Sequence, residues 1–377
     1  MKTVLISGAG VAGLTLAHWL HHYGFEPTVV EKAAAPRPGG QAVDVRGVAL
    51  DVADRTGIGS AIRNVRTRMR GMSLLDPDGN EIHRSTEETF SGGRLDNDDI
   101  ELLREDLTDI LYGRVRAGVE LVHGDSVTVL TERTNGVHVT FERGAPRVFD
   151  LVIGADGLHS RVRELVFGEE SRFLHHLGTY LAVFGMENFL ELTDWQVWLR
   201  DGTAGYGIYP VRANTEIRVM LGFESAPLGH DHRDIEQQRR LTADAFAALR
   251  WETPRLLKAM AEAPDFYFDS MAHVRMGSWS RGRVALLGDA GYCASPLSGQ
   301  GTSLALVGAY VLAYELGRAA EGPQGRAGRH GAAFARYEER MRPFVEMNQA
   351  IALENPGGPA SEESVDRAKN AISLDDA

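Results

Sequence analysis

The first thirty-one residues restrict the possible folds more than any other stretch. Val4-Leu5-Ile6-Ser7 is a short apolar run of the kind that forms a fully buried strand. Gly8-Ala9-Gly10-Val11-Ala12-Gly13 follows at once, and Leu14, Leu16, Ala17 and Leu20 then recur at helical spacing. Gly24 stops that helix, and Pro27 to Val30 reads as a second strand ending at Glu31, with Lys32 beside it. In such a strand–turn–helix–strand unit Gly8 permits the tight turn, Gly10 lets the backbone approach a pyrophosphate, and Gly13 lets helix and strand pack closely. The helix N-terminus, opening at Val11 and Ala12, offers free N–H groups and a partial positive charge to phosphates. Glu31 lies 23 residues past Gly8, near the ~20 typical of an acid that binds a ribose hydroxyl pair. A secretory signal is the competing reading, but three glycines break the apolar region and no small-residue cleavage site follows. The unit points to a dinucleotide without deciding between NAD(P) and FAD.

The bulk composition narrows the partners. The 377 residues are 43% hydrophobic, enough for a large core or two domains sharing an interface. A net charge of −12 argues against nucleic acid or an anionic membrane as the main partner. The apolar runs at Val4–Ala17 and Leu304–Ala313 are too short to span a bilayer. The single cysteine, Cys293, excludes an internal disulfide and a multi-cysteine metal site, so a reducing cytoplasm is the natural compartment. The partner class is a small molecule, and a monomer or weak homodimer is expected.

In chain order, Gly39-Gly40-Gln41-Ala42-Val43-Asp44-Val45-Arg46-Gly47 contains a short strand with a polar face at Asp44 and Arg46. Gly47 to Ile62 reads as a helix, Met72–Asp76 and Glu81–Arg84 as a hairpin, and about Ile100–Arg116 as another helix. On pattern alone Arg104 in that helix is a solvated charge. Three β runs follow between Glu120 and Glu142, including Val127, and then a buried strand delivers Asp156-Gly157 to its C-terminal end. That is where an open α/β sheet binds ligands, although a helix cap is the plain alternative. From Glu170 to Met276 strand-like runs become rich in aromatics and methionine, and Tyr180, Ala182, Phe184 and Met186 alternate on one face. An antiparallel-sheet domain is expected there. Its candidate substrate contacts are Phe184, Met186, Trp198, Tyr209 and Met220. His175-His176 and His230-x-His232 lack acids at recognisable spacing and read as surface loop residues. Further on, a buried strand ends in Gly288-Asp289, then come Pro296 and Gly299-x-Gly301, and a nearly all-apolar helix starts at Thr302. A helix N-terminus after Gly-x-Gly aims free N–H groups at whatever lies there. Ala333–Leu353 is a last amphipathic helix interrupted near Pro343, and the tail after Asn355 is expected to be mobile.

Three motifs stand in one order: Gly8-x-Gly10-x-x-Gly13 with Glu31, Asp156-Gly157-x-x-Ser160-x-x-Arg163, and Gly288-Asp289 with Pro296 and Gly299-x-Gly301. The chain thereby resembles the single-component FAD monooxygenases of the aromatic-hydroxylase type, with the 4-hydroxybenzoate hydroxylase fold. Gly40-Gln41-Ala42-Val43-Asp44 is similar to the tetracycline-inactivating and polyketide-hydroxylating members. The resemblance implies a non-covalent FAD, NADPH or NADH as co-substrate, and O2. It implies that Glu31 holds the adenosine ribose, Arg104 reaches the pyrophosphate or ribityl region, and Asp289 binds the ribityl chain. Pro296 and the backbone from Gly299 through Gly301 to Thr302 would lie against the isoalloxazine. Asp156 would support FAD and the reductant, Asp44 and Arg46 would lie close to the flavin, and Arg37 would meet NADPH. Further implied cofactor contacts are Val11, Ala12, Lys32, Val127 and Gly288, and Pro296 also borders the substrate.

The implied fold is α/β: a Rossmann-like FAD-binding domain from residues 1–75, 98–170 and 277–320, and an antiparallel-sheet substrate domain from 76–97 and 171–276. C-terminal helices occupy 321–355, and 356–377 form the tail. The implied reaction inserts one oxygen atom into a multi-ring aromatic, phenolic or polyketide-like molecule through a flavin C4a-hydroperoxide. No catalytic side chain is required, because the flavin carries the chemistry. Other flavoenzymes on this scaffold, a halogenase or a reductase, are the alternatives, as is a non-catalytic FAD or ligand binder. The halogenase pattern W-x-W-x-I-P is absent, since Trp195-Gln196-Val197-Trp198 has the wrong spacing.

Overall fold

The computed structural model describes residues 3–35, 39–229, 231, 233–321, 329–355 and 360–375. Arg37, His230 and His232 lie outside these residues.

Consecutive residues Val4-Leu5-Ile6 and Leu151-Val152-Ile153 are all buried, a pattern that requires cover on both faces of a sheet. They form the centre of a six-stranded sheet in the order Ser280–Arg281, Val284–Leu286, Leu151–Gly154, Thr3–Ser7, Glu26–Glu31, Glu120–His123. All pairs are parallel except the short Ser280–Arg281 edge. Ser7 is in register with both Val30 and Gly154, and Gly154 with Leu286. Segments far apart in sequence therefore end together, placing Gly8, Glu31, Asp156 and Asp289 along one edge of the sheet. Helix Val11–His22 packs beside helix Gly301–Glu321. The latter buries Leu304, Leu306, Val307, Val311 and Leu312, each worth about 1.5–3 kcal/mol relative to exposure.

The second sheet has seven strands in the order Tyr267–Val274, Leu174–Glu187, Glu216–Glu224, Ala204–Val211, Gln196–Asp201, Met72–Leu75, Glu81–Ser85. It is antiparallel apart from the parallel pairing of Met72–Leu75 with Gln196–Leu199. That pairing transfers Met72–Leu75 from the first sheet's domain, where the sequence placed it, to the second. Tyr180, Ala182 and Phe184 form a separate core with Phe246, Leu256 and Met260 of helices Ile235–Phe246 and Thr253–Glu262.

Four further expectations change. Ile100–Leu103 is a strand, because it pairs antiparallel with Ala42–Val45, and the helix starts only at Arg104. The helix expected from Gly47 to Ile62 splits into Val48–Arg55 and Gly59–Val65, with Gly57 at φ 75° between them. The chain beyond residue 360 forms helix Glu362–Lys369 and docks. Ala368 and Leu374 are buried, Lys369 pairs with Asp99 at 2.9 Å, and Asn348 donates to the Ala368 carbonyl at 3.1 Å. Helix Arg329–Glu354 runs through Pro343 without a break. No helix among the described residues is long and apolar enough to cross a membrane.

Candidate active site

A single cleft of about 1480 Å³ runs from the C-terminal edge of the parallel sheet to the second sheet. At one end lie Gly8, Gly10, Val11, Ala12, Glu31 and Lys32. A Cβ on Gly13 would overlap the Gly8 carbonyl oxygen, so this glycine is demanded by packing. A Cβ on Gly10 would meet nothing within 4 Å. The space beside Gly10 belongs to the cleft, where the uncapped N-terminus of helix Val11–His22 also opens. Glu31 accepts from the Ala9 and Ala33 N–H groups, each at 2.9 Å, which fixes its carboxylate at the cleft wall. Arg104 lines the cleft, lies against Gly40 and donates to the Gly39 carbonyl at 3.3 Å. Val127 lines the same end.

The second and third motifs are bolted together. Asp156 lines the cleft and accepts from Ser160 Oγ at 2.5 Å and from the Val162 N–H at 3.1 Å, so it also caps helix Arg161–Phe167. Arg163, fully buried, donates to the Ala290 carbonyl at 3.1 Å and the Leu158 carbonyl at 2.6 Å, and pairs with Glu170 at 2.7 Å. One guanidinium thus ties the Asp156 turn to the residue after Asp289. The walls around Asp156 and Asp289 desolvate both carboxyls and raise their pKa values. Gly288 sits behind the cleft, while Asp289, Pro296, Gly299, Gly301 and Thr302 line it. Cys293 is buried, and burial pushes its thiol pKa up.

Asp44 faces the cleft while Arg46 lies behind it, 2.9 Å away. Burial outweighs that guanidinium and pushes the Asp44 carboxyl up to about 7. Arg46 also donates to the Ser91 carbonyl at 3.2 Å, and its own N–H donates to Ser303 Oγ at 3.1 Å. Ser303 thereby links this pair to the helix that begins at Gly301.

The second sheet supplies Leu181, Trp198, Tyr209, Met220 and Met271 to the cleft. Tyr209, fully buried, accepts from the Ala42 N–H at 2.9 Å. Phe184 and Met186 do not line the cleft. Their face of the strand packs into the separate core, and the opposite face, with Leu181 and Val183, turns the other way. Apolar side chains on this face remove more area from water against the core than in an open cleft, which corrects the expected substrate contacts at these two positions. All three arginines of this region are paired: Arg200 with Glu224 at 3.0 Å, Arg212 with Asp106 at 2.9 Å, and Arg218 with Glu216 at 3.3 Å and Asp265 at 3.8 Å.

Two groups escaped the sequence reading. His159, next to the Asp156-Gly157 motif, is wedged between Glu170 at 2.9 Å and Asp269 at 3.2 Å. Burial alone would lower its pKa, but the bonds to Asp269 and Glu170 prevail and raise it to about 9. Its adjacency to the motif was a visible signal, whereas Asp269 comes from strand Tyr267–Val274, 110 residues away. Phe90, on the hairpin Glu88–Arg94, also lines the cleft. His175 and His176 lie in strand Leu174–Glu187, not in a loop, and His176 bonds to the Ser225 carbonyl at 2.8 Å.

Comparison with known proteins shows the family. An FAD binding domain family model matches residues 1–350. The chain belongs to the FAD-dependent monooxygenases. A flavin-dependent monooxygenase of Legionella longbeachae is 40% identical over 93% of this chain and 87% of its own. An uncharacterised protein of Mycobacterium tuberculosis is 49% identical over the full length of both chains. Among solved structures, tetracycline destructase Tet(51) superposes with a TM-score of 0.89 at 37% identity, covering 99% of each chain. The cradle beside Gly10, the acid at Glu31 and the free helix N-terminus suit FAD in this monooxygenase.

Proposed function

We propose that this monooxygenase uses NAD(P)H and O2 to hydroxylate a large, flat, mostly apolar multi-ring phenol, of the polyketide or tetracycline kind. The observation that carries the reading is the continuity of the cleft, from the Gly10 cradle to a wall of Leu181, Trp198, Tyr209 and Met220. On the second sheet Arg200, which lines the cleft, and Arg212 and Arg218, which do not, are already paired with carboxylates, so that sheet presents no paired cationic clamp to a small benzoate. The likeness to tetracycline destructases supports the same substrate class.

FAD supplies the redox chemistry that activates O2 when it is bound. The chain's residues hold and shield it. Glu31 would take the adenosine ribose, the N–H groups at Val11 and Ala12 would take the pyrophosphate, and Asp289 would take the ribityl chain. Arg104 would neutralise charge in the pyrophosphate or ribityl region. Pro296 and the backbone at Gly299, Gly301 and Thr302, which line the cleft, would hold the flavin ring, and the helix N-terminus there would favour negative charge. Asp44, held by Arg46, keeps or gives up a proton near neutral pH at the cleft wall. Trp198, Tyr209, Met220 and Pro296 exclude water around the substrate. The test is a screen of multi-ring phenols, tetracyclines and single-ring benzoates for faster NADPH or NADH oxidation by the FAD-loaded protein. Stimulation by multi-ring compounds is expected, and stimulation by benzoates alone would contradict the reading.

A further inference from the structure

The hairpin Glu88–Thr89 with Gly93–Arg94 stands outside both large sheets and carries Phe90, which is 40% exposed. An apolar ring held out on a small hairpin gains little from the fold. Its partner is Trp198, with ring centroids 5.4 Å apart and planes at 74°. Both rings line the cleft.

The two rings come from different elements, and one residue joins them. Gln196 is fully buried. Its Oε1 accepts from the Trp198 indole N–H at 2.9 Å, and its Nε2 donates to Ser91 Oγ, next to Phe90. Ser91 Oγ donates in turn to Glu101 Oε2, and the other oxygen of Glu101 accepts from Thr67 Oγ1 at 2.7 Å. The Ser91 carbonyl accepts from Arg46. Both polar atoms of the Gln196 side chain are therefore satisfied, each by one side of the ring pair. A buried amide used in this way fixes geometry, because loss of either bond strands a polar group without water.

We propose that Phe90 and Trp198 form a preset aromatic corner that recognises flat fused-ring substrates, and that Gln196 is the positioning residue that sets its angle. The inference rests on the multi-ring reading of the cleft. With the two planes at 74°, a flat ligand stacked on one ring meets the other edge to face, and both arrangements are favourable for aromatic pairs. A single-ring phenol spans only one of them. Gln196 contributes no contact to the ligand and acts only through Trp198 and Ser91.

The test uses FAD-loaded protein, with binding read from quenching of flavin or tryptophan emission. The probes are a dihydroxyanthraquinone as the flat ligand and a single-ring phenol as the compact one. Gln196→Met keeps the volume and removes both hydrogen bonds. It is expected to weaken the flat ligand about tenfold, to leave the compact phenol within about twofold, and to leave FAD affinity unchanged. Trp198→Phe removes the indole N–H. In a double-mutant cycle its effect should shrink in the Gln196→Met background, because the two share one bond. Should Gln196→Met fail to fold, Phe90→Leu on the exposed hairpin must still lose the preference for the flat ligand. Flat-ligand binding that survives unchanged in Phe90→Leu and Gln196→Met overturns the corner while leaving the multi-ring reading intact. Wild-type protein that binds no flat phenol overturns both.

Discussion

Gly10 and Gly13 separate ligand binding from folding within one motif. A methyl at Gly13 collides with the Gly8 carbonyl, whereas one at Gly10 meets no protein atom within 4 Å. Gly10→Ala should therefore change the apoprotein's unfolding free energy by less than about 1 kcal/mol yet lower FAD affinity sharply. Gly13→Ala should destabilise the apoprotein itself. Urea melts and FAD titrations distinguish the two, and equal effects on stability would contradict the assignment. Asp44 gives a pH-dependent prediction. Its carboxyl rises from 3.8 to about 7 in the fold, so the native state holds this proton more tightly than the unfolded chain. The associated stability is fully present below the unfolded value and is lost as pH rises through about 7. Asp44→Asn removes that loss. Its stability relative to wild type should climb between about pH 4 and 7, measured by thermal melts of the two apoproteins across that range. A flat difference would show that Asp44 does not titrate there.

At the scale of elements, the structure depends on bolts between segments distant in sequence. Arg163→Met removes a buried guanidinium that joins the Asp156 turn to Ala290. The expected cost is roughly 3 kcal/mol in chemical denaturation, with weaker FAD binding as the Asp156 and Asp289 turns lose their shared tie. Deleting residues 361–377 removes the helix that pairs Lys369 with Asp99, whose other oxygen accepts the Gly47 N–H at 3.1 Å. Counting Leu374 and that pair, the loss should be roughly 2–4 kcal/mol. A melting temperature unchanged by the deletion would mean that the helix only rests on the surface.

The three nucleotide motifs were legible because each is local, a strand end followed by a turn that glycine or aspartate specifies. The alternation at Tyr180, Ala182, Phe184 and Met186 was equally visible. Alternation defines two faces without saying which one meets a ligand, so Phe184 and Met186 were misassigned. Ile100–Leu103 was read as helix because its partner, Ala42–Val45, lies more than fifty residues away. The docked tail escaped for the same reason, since its polar composition conceals three buried residues, Ala368, Lys369 and Leu374, that find their partners only in the fold.

Over the whole molecule, the parallel sheet brings the nucleotide motifs to one edge and the antiparallel sheet closes the other side of a common cleft. If cofactor and substrate meet there, one oxygen atom passes to the substrate. Incubating the FAD-loaded protein with NADPH, a multi-ring phenol and heavy-isotope dioxygen, then weighing the product, tests this directly. One heavy oxygen atom in the product, with NADPH consumption that rises with the substrate, is the predicted result. Hydrogen peroxide alone with every multi-ring candidate, beside productive turnover of a small benzoate, would contradict it.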